Sequence, residues 1–173
     1  MDDYTLAQIV EAVKKNINSP STPGSTPVTY KKDNITLAAA KLLADVIEEE
    51  AKRVGVKAVI AITNTGANPV LIHATDDSFI ASYDVALQKA FTSVALKMPT
   101  STLKGMAQPN SPLYGIQFTN NGKIVIFGGG DPLTVGDTIV GGLGVSGGSE
   151  ELDTYLSDFG AKYFRENIAT KIN

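Results

Sequence analysis

The sequence predicts an α/β (α+β) fold in which a five-stranded, mainly antiparallel sheet is flanked by helices. Three observations predict it. Apolar residues recur at three-to-four spacing over long segments, apolar runs of strand length alternate with those segments, and Gly, Pro and Asn mark the boundaries. The chain has 173 residues, enough for one ordinary domain, and 43% of them are hydrophobic.

Thr36 is placed to cap a long helix running to Val54, in which Leu37, Ala40, Ala44, Ile47, Ala51 and Val54 form an inward stripe widened by Leu43. Gly55 supplies its stop. Val56 to Thr63 then reads as a buried strand, Asn64-Thr65-Gly66-Ala67-Asn68 as a turn, and Pro69 to Ala74 as the returning strand of a hairpin. A second helix, Ser82 to Lys97, buries Tyr83, Ala86, Leu87, Ala90, Phe91 and Val94 and ends before Pro99.

Residues 100–107 add one or two further turns, and Gln108-Pro109-Asn110-Ser111-Pro112 is a loop. Three strands are expected next: Tyr114–Thr119, Lys123–Phe127 and Thr138–Ser146. Asn120-Asn121-Gly122 closes the first two as a hairpin, because these residues tolerate positive φ. A last helix spans Glu150 to Ile168. Helix, two strands, helix, three strands, helix is the order of a profilin-like architecture.

Ahead of this domain (residues 34–173) stand two different segments. Residues 5–17 form an amphipathic pattern, with Leu6, Ile9, Val10, Val13 and Ile17 on one face and Thr5 and Gln8 as a capping box. Residues 18–33 contain three prolines among small polar residues and read as a flexible linker. A helix of about 13 residues is marginal alone in water, so its apolar stripe asks for a partner, either its own domain or another protein.

Composition excludes several classes. With no cysteine there are no disulfides, zinc–thiolate sites or thiol nucleophiles. Net charge is −3 with no dense basic cluster, so nucleic acid is not an expected partner. No apolar run reaches the roughly 20 residues that cross a bilayer, and the acidic start lacks a signal peptide's basic region. A cytoplasmic protein is therefore expected.

More than half of the 16 glycines fall between Gly128 and Gly148, clustered as Gly128-Gly129-Gly130, Gly141-Gly142 with Gly144, and Gly147-Gly148. Glycine within strands marks a bulge, a tight crossing or a ligand lying on the backbone. Gly147-Gly148 also exposes amides ahead of a helix, where a small anionic ligand can be received. Lys89 sits on the second helix beside Tyr83, Ala86, Ala90 and Val94, placed either to meet a carboxylate or phosphate in a cleft or to reach solvent. Thr92, Ser93, Thr100 and Ser101 bring hydroxyls nearby, but no general base accompanies them, so nucleophilic catalysis has poor support.

His73 is the only histidine and the candidate metal ligand. A protein-built site needs Asp76, Asp77 or another carboxylate beside it. A metal already inside a macrocycle needs only an axial ligand, for which His73, Tyr83, Met98 and Met106 are the candidates.

Ser82…Lys89-Ala90…Thr92, Met98-Pro99-Thr100, Tyr114-Gly115-Ile116-Gln117-Phe118, the run Ile124 to Leu133 and the run Ile139 to Ser149 together resemble the GlcG/HbpS-like haem-binding and haem-degrading family. That family includes the C-terminal domain of PduO-type cobalamin adenosyltransferases. The resemblance covers residues 35–161 and implies an oligomer that binds haem or a corrinoid, with Lys89, Thr92, Thr100, Gly128, Gly129, Gly130, Gly147 and Gly148 at the cofactor. Asp153 matches the family's Asp after the last Gly-Gly. No segment resembles the adenosyltransferase domain, so adenosyl transfer is not expected. The N-terminal helix and linker resemble an encapsulation peptide, which implies cargo of a bacterial microcompartment and a shell or cargo protein as partner. The resulting expectation is an accessory tetrapyrrole-binding protein, not a classical enzyme; the alternatives are an enzyme acting on haem or a small oxygenated metabolite, and a non-catalytic oligomeric structural protein.

Overall fold

A computed structural model describes residues 30–171. The chain divides into two units, residues 1–32 and 33–173, and the architecture below is that of the second. The helix expected over residues 5–17 and most of the linker lie outside the described residues.

Helix α1 (Leu37–Arg53) begins where Thr36 accepts a hydrogen bond from the Ala39 amide at 3.2 Å and stops before Gly55, whose φ is +74°. The hairpin β1 (Val59–Asn64) and β2 (Pro69–Ala74) follows, its turn organised by Asn64, whose Oδ1 accepts from the Gly66 and Asn68 amides. Helix α2 (Ile80–Leu96) ends at Lys97 in the left-handed region, and Pro99 precedes the short α3 (Thr100–Met106). Strands β3 (Gly130–Val135) and β4 (Thr138–Ser146) then lead into α4 (Glu150–Tyr163), which continues through a wide π-type turn at Phe164–Ile168.

The sheet has four strands in the order β2-β1-β4-β3, every neighbouring pair antiparallel. This corrects the five strands expected from sequence. Tyr114–Thr119 and Lys123–Phe127 are not strands: the first contains a 3-10 turn at Ile116–Phe118, and a second 3-10 turn at Asn120–Gly122 replaces the hairpin. The cause is local. Asn120, Asn121 and Gly122 all have positive φ (51°, 57° and 74°), whereas a two-residue hairpin turn uses two such residues in register with its strands. Ile124 and Val125 are buried as an apolar run should be, but the Val125 amide bonds the Thr92 hydroxyl on α2 at 3.0 Å, not a neighbouring strand. The strand that does form, β3, lies on the sheet edge, where Pro132 is tolerated.

Side chains alternate along β1 and divide the interior. Ile60 and Ile62 face α1 and α4 in a core with Leu43, Ile47, Leu133, Leu143, Val145, Leu156 and Phe164. Val59 and Ala61 face α2, where the partners are the small residues Ala86 and Ala90. Small residues meet here because α2 lies backbone-close on β4. A Cβ added at Gly144 would stand 2.0 Å from the Ala86 carbonyl oxygen, and one at Gly142 would stand 2.5 Å from that of Ala90.

Gly144→Ala must therefore push α2 off the sheet. Urea denaturation should show a loss of about 3 kcal/mol or more relative to wild type; unchanged stability would show that the helix can yield at this crossing.

Candidate functional site

The first and last glycine clusters, α2 and the start of α4 converge where β4 leaves the sheet. Lys89 is carried into this convergence by the inward face of α2, with an exposure of 0%. A buried ammonium must find anionic or carbonyl partners. Lys89 Nζ donates to Asp153 Oδ2 and to the Val145 carbonyl, each at 2.8 Å, and stands 5.0 Å from the centroid of the Phe127 ring. Burial pushes the Lys89 pKa down, while the Asp153 charge pulls it back up.

Asp153 occupies the first turn of α4, where the helix dipole favours a negative charge, and its second oxygen accepts from the Gly148 amide at 2.9 Å. The Gly128 and Gly130 amides are also held internally. Gly128 donates to Glu150 Oε1 at 3.0 Å, and Gly130 to the Thr100 hydroxyl at 2.9 Å. The Gly129 carbonyl accepts from the Val145 amide at 2.7 Å. Gly129 has φ +106°, and a Cβ there would collide with Lys89 Nζ at 2.6 Å. A Cβ at Gly147 would stand 2.3 Å from the Lys57 carbonyl oxygen.

Lys89, Thr100 and the glycines 128, 129, 130 and 148, proposed from sequence as ligand contacts, are thus brought together, but the Lys89 ammonium and the Gly128, Gly130 and Gly148 amides donate to the protein's own groups, while Gly147 packs against the Lys57 backbone. Thr92 lies further along α2, buried, bonding the Gln88 carbonyl and the Val125 amide. His73 lies elsewhere, on the edge strand β2, with β1 and β4 between it and β3. It shares the face of Ile60, its cross-strand partner, and its Nε2 lies 2.7 Å from Glu48 Oε2 on α1.

Beside the first glycine cluster opens a groove of about 580 Å³ with Asp131, Glu150, Glu151 and Asp158 on its walls, together with Lys104, Ser101 and Tyr155. Burial holds the Asp131 carboxyl above the usual carboxylate range, and its bond with the Ser157 hydroxyl only partly offsets this. Glu150 is held below that range, first by the Gly128 amide and then by Lys104 at 2.7 Å. Sequence reasoning passed over Glu150 and Phe127. Glu150 follows directly on Ser149, the residue that caps α4, and this acidic first turn was the available signal.

Comparison with known proteins gives a consistent result. The family model described as "Haem degrading protein HbpS-like" matches residues 35–162. An uncharacterized 15.0 kDa protein of the dhaT-dhaS intergenic region of Citrobacter freundii is 40% identical over 132 residues, covering 76% of this chain and 93% of that protein. The corrinoid adenosyltransferase PduO of Salmonella typhimurium is 32% identical over 158 residues; the match covers 87% of this chain but only 45% of PduO. Among solved structures, Klebsiella pneumoniae protein ORFY superposes with a TM-score of 0.79 at 35% identity, covering 82% of this chain and 97% of the other. The PduOC:heme complex superposes with a TM-score of 0.72 at 31% identity, covering 75% and 94%.

Two measurements test the convergence. Lys89→Met leaves the Asp153 carboxylate buried without its cation, and urea denaturation should show a loss of roughly 3–5 kcal/mol. Glu150 has a folded pKa below its ordinary 4.5, so its stabilising contribution is complete above that pH and disappears as pH falls through the folded value. The stability difference between wild type and Glu150→Gln should therefore be flat above pH 5 and shrink as the pH is lowered below about 4.5. A difference that grows on acidification would contradict the assigned bonds.

Proposed function

We propose a function from one premise: the chain belongs to the haem degrading protein HbpS-like family. It is an accessory protein that binds a tetrapyrrole, haem or corrinoid, and works as a homo-oligomer. The observation that carries this reading is the likeness to PduOC, whose solved structure is a haem complex.

The chain's own surface supports it. Tyr114, Phe118 and Phe127 are 65%, 83% and 40% exposed along the irregular segment that follows α3, so flat apolar rings are presented to solvent. Phe127 lies over the buried Lys89 ammonium, which fixes that ring in place. Lys89, Thr92, Thr100 and the glycines 128, 129, 130, 147 and 148 then act as positioning residues that frame the wall behind the macrocycle. The four carboxylates of the neighbouring groove outnumber Lys104, so that groove would disfavour the propionates of a bound haem.

The amphipathic pattern over residues 5–17, followed by a proline-rich tether, supports a role as microcompartment cargo addressed through that segment. Among the described residues no helix is long and apolar enough to cross a membrane.

Protein purified without added cofactor, then titrated with haemin and with cobalamin at micromolar concentration, should develop a stoichiometric Soret or corrin band. Phe127→Ala should weaken that binding. Absence of binding by either tetrapyrrole overturns the reading. Deletion of residues 1–27 should abolish co-sedimentation with microcompartment shells and leave tetrapyrrole binding unchanged; retained co-sedimentation refutes the addressing role.

A further inference from the structure

Away from the glycine clusters, a second constellation forms between α1 and the sheet edge. Asp45 and Glu48 are three residues apart on α1 and so share one helix face. That face meets β2, where His73 points toward it. One ligating atom from each of the three residues lies within 4.8 Å of the other two. Each is accessible enough for an ion to enter: Asp45 is exposed, while the Glu48 and His73 side chains are 24% and 28% exposed.

The three donors are held differently. Lys52 binds Glu48 Oε1 at 2.8 Å, which fixes that carboxylate and leaves Oε2 directed at the imidazole. Asp45 has no ion-pair partner among the described residues, so its carboxylate is available to swing in as the third ligand. We propose that Asp45, Glu48 and His73 bind a divalent first-row transition ion at the edge of the sheet, independently of the tetrapyrrole. Two carboxylates neutralise the dication, and one imidazole nitrogen selects zinc, cobalt, nickel or copper over magnesium and calcium, which prefer all-oxygen sets. Three protein ligands leave a coordination position for water, as in open zinc sites. The ion replaces the present His73–Glu48 contact, bridging the two groups instead of letting them pair directly.

The test uses the full chain without an affinity tag, in which His73 is the only imidazole. Titration with Zn²⁺ alone, followed by calorimetry and by the imidazole ¹H–¹⁵N resonances, should give one site per chain and a shift of the His73 signals that saturates at equivalence. Mg²⁺ should produce neither. His73→Ala and Asp45→Asn should each weaken Zn²⁺ binding by at least ~10-fold, with circular dichroism unchanged. A wild-type protein that binds no Zn²⁺ at 100-fold excess overturns the proposal. So does a His73 signal that stays in place on saturation, or binding undiminished in either variant.

Discussion

A lysine ammonium removed from water has to be neutralised where it lies, and the arrangement around Lys89 follows from that requirement. One nitrogen on α2 reaches a carboxylate on α4, a carbonyl on β4 and an aromatic ring on the segment before β3. The carboxylate in turn fixes the Gly148 amide at the turn into α4. Four pieces of chain, separated by up to 64 residues, are thereby tied at one point. Removing either charge strands the other in a low-dielectric interior, so the pair specifies an arrangement more than it adds net stability.

The glycines belong to the same design. Their missing side chains let α2 settle onto β4, and only at that depth does Lys89 meet Val145 and Asp153. Three glycine amides in this region are accepted by neighbouring side chains: Gly128 by Glu150, Gly130 by Thr100 and Gly148 by Asp153. These three amides are satisfied from within. Surfaces left for a flat ligand are those made by aromatic residues around this frame.

What could be read in advance depended on range. Thr36, Gly55 and Pro99 act within one helical turn of themselves, and each does what its residue type implies. Asn120-Asn121-Gly122 shows the limit. Its permissiveness for positive φ was legible, but whether the flanking apolar residues would pair with each other or with α2 depended on Thr92, about 30 residues earlier in the chain. Lys89 was singled out as unusual by its apolar neighbours on α2. Its burial was not legible, because Asp153 becomes its partner only through the packing of two helices on one strand. His73 and Glu48 are likewise joined only once β2 has folded back along α1.

Pro132 lies inside β3, although a proline within a strand ordinarily argues against the assignment. It sits on the last strand of the order β2-β1-β4-β3, opposite Gly142. An outermost strand normally presents a row of unused amides on which a stray extended chain can template itself. Proline has no amide hydrogen, so on this side the row is broken in its middle. The residue that disguises the strand also guards that flank of the protein against fibrous self-association.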